Sequence, residues 1–83
     1  MGDRTAQQEL MAAAEAHRKE KGLKAWAFAA GMRMGATYYS HLVNGNRQPS
    51  RNNLQAMSEA YPELRIAVAR YWRKLDPAAV EGA

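Results

Sequence analysis

GLKAWAFAAGMRMGATYYSHLVNGNRQPS, residues 22–50, carries two short helical patterns separated by a turn, and the reading of the fold starts from it. Ala25, Phe28, Ala29 and Met32 fall at i, i+3, i+4 and i+7. That spacing is one face of a helix, predicted over about 24–31, with Gly31 and Gly35 bracketing its end. A second helix is predicted over 36–44, with Tyr39, Leu42 and Val43 turned inward and Ala36, Thr37, Ser40 and His41 turned out. Asn44 and Gly45 end it, and the polar run 46–49 is a loop.

Upstream, Thr5 with Gln8 three residues on forms a capping box, and Leu10, Ala13, Ala14 and His17 share a face, predicting a helix over 6–21. Gly22 closes that helix in the left-handed conformation, and Leu23 folds back onto its last turn. Downstream, Ser50 is the N-cap of a helix over 51–60 carrying Leu54, Met57 and Tyr61. Pro62 and Glu63 open a last helix over 62–75. Its apolar stripe is Leu64, Val68, Tyr71 and Leu75, with Ile66 and Trp72 beside it. Asp76-Pro77 stops the helix and leaves 76–83 as a loose tail. No alternating strand pattern or internal repeat appears, so the expected architecture is all-α, five helices in a single domain over 1–83.

Charge is distributed unevenly. Between Lys21 and Ser58 there is no Asp or Glu, while Lys21, Lys24, Arg33, Arg47 and Arg51 give that segment +5. The rest of the chain nets −1, so the mild total of +4 is concentrated in one acid-free segment. Such a segment suits a polyanion, because cations brought near phosphates release condensed counterions. On charge alone, a solvated basic face with no partner is the alternative.

The absence of cysteine excludes disulfides, thiolate metal sites and a cysteine nucleophile. Two distant histidines do not make a zinc site, and no paired carboxylates, nucleophile–base set or phosphate loop appears. The expectation is a protein that is not an enzyme and needs no cofactor and no metal. The longest apolar run, 25–30, is far shorter than the roughly 20 residues of a membrane span, and no signal-peptide pattern opens the chain. A cytoplasmic, nucleoid-associated location is expected.

Residues 22–50 resemble the lambda-repressor-like (Cro/XRE) helix-turn-helix family, in register and without a gap. The family's pattern is roughly G-L-T-Q-x-x-L-A-x-x-L-G-V-S-x-S-x-I-S-x-I-x-N-G-x-R-x-P-S. The matching residues are Gly22, Leu23, Phe28 at the Leu site, Ala29, Met32, Met34, Thr37 at the second Ser, Tyr39 at the Ile, Ser40, Leu42, Asn44, Gly45, Arg47, Pro49 and Ser50, with Leu54 continuing into the fourth helix. The resemblance implies a compact five-helix DNA-binding domain whose helices 2 and 3 form the helix-turn-helix. By position, Gly35, Ala36, Thr37, Ser40 and His41 are implied to read base edges in the major groove. Tyr38, Asn44, Asn46 and Arg47 match positions implied to hold the DNA backbone, and the flanking cations Lys24, Arg33 and Arg51 are expected to add backbone contacts of their own.

Two departures stand out. The family's Gln opening helix 2 is Ala25 here, which moves its phosphate contact to Lys24 or removes it. The turn glycine is Arg33, so either the turn shifts toward Gly31 or Gly35, or Arg33 is strained in the left-handed conformation. His17 stands at a usual core leucine, and a packing role outweighs pH sensing. Met11, Met32, Met34 and Met57 read as core filler, and Tyr39 as core packing rather than base stacking.

Trp26 either packs on helix 1 or helix 5, or forms with Ala30 an exposed patch for a protein partner. Leu64, Val68, Tyr71, Trp72 and Leu75 are expected to form a dimer interface, with intrachain core as the alternative at the Tyr71-Trp72 end. The leading expectation is a transcription regulator of phage or bacterial type, a repressor. It would bind double-stranded DNA at a near-palindromic operator as a homodimer. An antitoxin-like interaction protein and a non-specific nucleic-acid binder are the rivals.

Overall fold

The computed structural model describes residues 5–75, apart from the side chain of Leu75; the expected 76–83 tail lies outside the described residues. Five α-helices follow in order: α1 Ala6–Lys21, α2 Ala25–Gly31, α3 Ala36–Asn44, α4 Arg51–Ala60 and α5 Arg65–Leu75. There is no strand among the described residues. α5 lies against α1 and α4, and α2 pairs with α3.

Two boundaries differ from expectation. Lys24 is the N-cap of α2 rather than its first residue, with extended backbone at ψ 156°. The last helix opens as a single tight turn, Pro62–Leu64, in which the Leu64 N–H donates to the Tyr61 carbonyl at 2.8 Å, before α5 proper begins at Arg65. Proline fixes its own φ there and has no N–H to leave unpaired.

Three helix ends are built alike. After α1, Leu23 N–H donates to the Arg18 carbonyl and Gly22 N–H to that of Lys19, each at 3.1 Å. After α3, Asn46 N–H donates to His41 at 2.9 Å and Gly45 N–H to Leu42 at 3.3 Å. After α2, Met34 N–H donates to Ala29 and Arg33 N–H to Ala30, each at 3.0 Å. This is the Schellman closure, which needs one left-handed residue. Gly22 at φ 69° and Gly45 at φ 82° supply it without cost, but Arg33 at φ 61° supplies it against its own Cβ. The turn did not shift to Gly31, whose lack of a side chain serves another end. A Cβ there would collide with the Tyr61 hydroxyl, which donates to the Phe28 carbonyl at 3.0 Å.

The core is one cluster in which Leu10, Met11, Ala14, Met32, Met34, Leu42, Leu54 and Met57 surround buried Phe28 and Tyr39. Phe28 stacks on Tyr61 at 4.4 Å between centroids and meets Tyr39 edge-on at 5.6 Å. His17 is 9% exposed and lies edge-on to Tyr61 at 5.7 Å, a packing residue as expected.

Burial corrects the dimer expectation. Leu64, Val68 and Tyr71 lie inside the protomer's own core, which leaves them no surface for a partner. Trp72 is half-buried beneath the Arg51 guanidinium, 6.0 Å from its ring centroid. Leu64, Val68 and Tyr71 do share one apolar face, and that face is used to close the core. Trp26, by contrast, is 63% exposed.

A polar network sets the roll of α3. The Tyr39 hydroxyl donates to Glu15 Oε2 on α1 at 2.6 Å. Glu15 takes a two-pronged contact from Arg18, at 2.8 and 3.0 Å, and Arg18 Nη1 donates to the Leu23 carbonyl ahead of α2 at 2.8 Å. The Arg18 hydrogen bonds hold the Glu15 carboxyl below its ordinary 4.5, outweighing partial burial. Burial, and then the hydrogen bond to Glu15, push the Tyr39 hydroxyl well above its usual range.

Two expectations follow. Arg33→Gly should raise stability by about 0.5–1 kcal/mol, part of the left-handed penalty being offset by the greater freedom of glycine in the unfolded chain, and thermal melting checks it. A carboxyl whose folded pKa is depressed stabilises the fold above the unfolded value and loses that contribution as pH falls through the folded one. The wild-type midpoint should therefore fall steeply below about pH 4.5, whereas Glu15→Gln should melt lower at pH 6 with a shallower acid slope, in melts from pH 6 to 3.

Candidate nucleic-acid interface

α3 has nine residues, too few to be stable alone in water, so its neighbours must hold it. Tyr39 and Leu42 are buried on its inner face, and Gly35, Ala36, Thr37 and Ser40 are exposed on the outer one. His41 is half-buried at the edge of that face. The structure thus brings Ala36, Thr37, Ser40 and His41 onto one side of one short helix, with Gly35 exposed at its N-cap. Their small size leaves a narrow ridge, which a major groove about 12 Å wide admits.

Each has a defined hydrogen-bonding state. The Thr37 hydroxyl has no partner among the described residues and is free to donate and accept. Ser40 Oγ accepts a long bond from Asn44 Nδ2 at 3.5 Å, which leaves its own O–H to donate outward. Asn46 Nδ2 lies 3.5 Å from His41 Nδ1. Taken as an amide donating to that nitrogen, the contact puts the ring proton on Nε2, where it can donate to a guanine edge or a phosphate. The N-cap of α3 is Gly35, which has no side chain to cap it, whereas α1 and α4 both open with complete capping boxes, Thr5 with Gln8 and Ser50 with Asn53. The first N–H groups of α3 therefore stay open at the positive end of the helix.

The cations stand around this ridge. Lys24, Arg33, Arg47 and Arg51 are all exposed, and none of them is ion-paired among the described residues. Arg33 occupies the turn between α2 and α3, and Arg47 the loop behind α3, with its guanidinium 5.8 Å above the Tyr38 ring. Asn44 and Asn46 are exposed beside it. Tyr38 is half-buried and its hydroxyl donates to Asn53 Oδ1 at 2.7 Å, so it ties α3 to α4 and its hydroxyl proton is already spent. Arg51 is exposed and leans over Trp72 on α5.

Several residues that shape the interface carry no local signal. Gln7 Nε2 donates to the Leu42 carbonyl at 2.9 Å and to the Arg47 carbonyl at 2.6 Å, partners 35 and 40 positions away. Asn53 uses one oxygen to accept from both Tyr38 and the Ser50 N–H. Glu15 and Arg18 stand three apart on α1, a spacing that predicts an ion pair but says nothing of Tyr39.

The described residues hold no group of three or more His, Cys, Asp or Glu placed to bind a metal ion. No helix among them is long and apolar enough to cross a membrane. What the surface offers is a ridge of donors and acceptors flanked by unpaired cations, a chemistry suited to base edges and phosphates. A search of curated proteins and a search of solved structures each returned no match. A helix-turn-helix family model matches residues 15–66, more than half of the chain, from the Glu15 anchor on α1 to Ile66 on α5. With that match and its five-helix, lambda-repressor-like fold, the chain belongs to the Cro/C1-type helix-turn-helix family of DNA-binding regulators.

Proposed function

We propose that the protein is a sequence-specific transcription regulator that lays α3 in the major groove of an operator and represses by occupying it. The observation that carries this reading is the exposed ridge of Ala36, Thr37 and Ser40, with half-buried His41 at its edge, set in a segment with no acid between Lys21 and Ser58. Thr37 is the principal reader: its hydroxyl is free and its methyl can touch thymine. Lys24, Arg33, Asn44, Asn46 and Arg47 supply the phosphate contacts, which fix register without reading sequence.

Two copies bind a near-palindromic operator with their recognition helices about 34 Å apart, one turn of B-DNA. The outer strip of α5 bears on how they meet. It presents Ile66, Ala69, Arg70 and Arg73, all exposed, so a symmetric α5 pair would set arginine against arginine. The copies therefore associate on DNA, where phosphates screen that repulsion, and not beforehand.

A second reading is favoured by Trp26, 63% exposed with Ala30 one turn on: a protein partner covers α2, as in an antitoxin, and DNA binding is secondary. Selection from random duplex DNA at moderate salt separates the two. Enrichment of a motif with inverted half-sites supports operator recognition, and no enrichment sinks it. On the selected duplex, Thr37→Ala should cost about 1–3 kcal/mol at one base position, whereas Arg47→Ala should weaken all sequences alike. Light scattering should show a monomer in free solution and two copies per duplex in the complex.

A further inference from the structure

Gln7 spends both protons of its side-chain amide on backbone carbonyls remote in sequence, that of Leu42 in the last turn of α3 and that of Arg47 in the loop beyond it. The Leu42 carbonyl already takes the Gly45 N–H at 3.3 Å, so Gln7 adds a second bond there, whereas the Arg47 carbonyl, in the loop, has Gln7 as its partner. The same loop is held from its other side by α3 itself: the Asn46 and Arg47 N–H groups both donate to the His41 carbonyl, at 2.9 and 3.4 Å. Segment 44–47 is thus clamped between α3 and the first turn of α1. Beyond the clamp, the Arg47 guanidinium lies over Tyr38, whose hydroxyl is fixed to Asn53.

We propose that Gln7 is a positioning residue for DNA binding: it holds the Arg47 backbone so that the guanidinium is presented to a phosphate before the duplex arrives. Gln7 lies on α1, outside the helix-turn-helix. It acts by removing the ordering that the loop would otherwise undergo on binding, since a long side chain on a fixed backbone loses less freedom when it engages a phosphate. The inference rests on the reading of Arg47 as a backbone contact.

The test is a double-mutant cycle of Gln7→Met and Arg47→Ala, titrated through a salt series on the duplex selected with the wild-type protein. Each single variant should weaken binding about five- to tenfold and lower the log–log salt slope by about one, and the double variant should bind within about twofold of Arg47→Ala alone. Losses that multiply, or Gln7→Met binding like wild type, overturn the positioning role and leave the reading of Arg47 standing. Arg47→Ala binding like wild type overturns that reading, and the proposal with it. Gln7→Ala is carried alongside in case the methionine variant folds poorly. Its Asn46 and Arg47 amides should exchange faster while those of α1 and α5 do not, and unchanged exchange in the loop also overturns the proposal.

Discussion

The bond from the Tyr39 hydroxyl to the Glu15 carboxylate is the constraint on which the presentation of α3 depends. A nine-residue helix has too few internal hydrogen bonds to persist alone, and apolar packing of Tyr39 and Leu42 by itself fixes depth better than rotation. A short charge-assisted hydrogen bond is directional, so it narrows the roll angle that the buried Tyr39 and Leu42 allow. Arg18 completes the device: it orients Glu15 through two contacts and spends a third donor on the Leu23 carbonyl, so the entry to α2 and the inner face of α3 are referenced to the same turn of α1.

The aromatic cluster works at right angles to that network. Phe28 from α2 is stacked on Tyr61 and edge-on to Tyr39, so three segments meet at one ring. Tyr61 also requires the missing side chain of Gly31, which ties the composition of α2 to the helix end that follows α4. Large rings fill volume efficiently in a core this small, and their hydroxyls find partners at its margin. The same economy explains the fate of α5. Its apolar stripe closes the bottom of the protomer against α1, with the Lys74–Glu9 ion pair at the edge, and little apolar surface is left over apart from Ile66.

The candidate binding surface is assembled differently from the core. Its residues are small, polar and exposed, and its order comes from clamps placed outside it: Gln7 on α1, Asn53 on α4 and three Schellman closures. One of those closures is held by Arg33 in a conformation that glycine would adopt freely. A cation kept at the turn between α2 and α3 at some cost in stability is the pattern expected where a side chain serves binding, since strain of this kind persists only when the surrounding structure over-determines it.

The sequence by itself determined the helices, their caps and the register of the helix-turn-helix, because capping boxes, glycine closures and the 3.6-residue period are interactions within a few positions of one another. Thr5 with Gln8, Ser50, Gly22 and Gly45 all behave as their local chemistry requires. The sequence also placed the inner and outer faces of α3, since periodicity encodes direction. Helix packing fixed what each face meets. It turned Leu64, Val68 and Tyr71 from a surface for a second copy into core, left Trp26 bare, and resolved Arg33 into the left-handed slot. It brought Gln7 to the far end of α3 and Glu15 to Tyr39 as well, contacts that span 24 to 40 positions and leave no periodic trace, because a polar side chain's partner is fixed by where the helices pack.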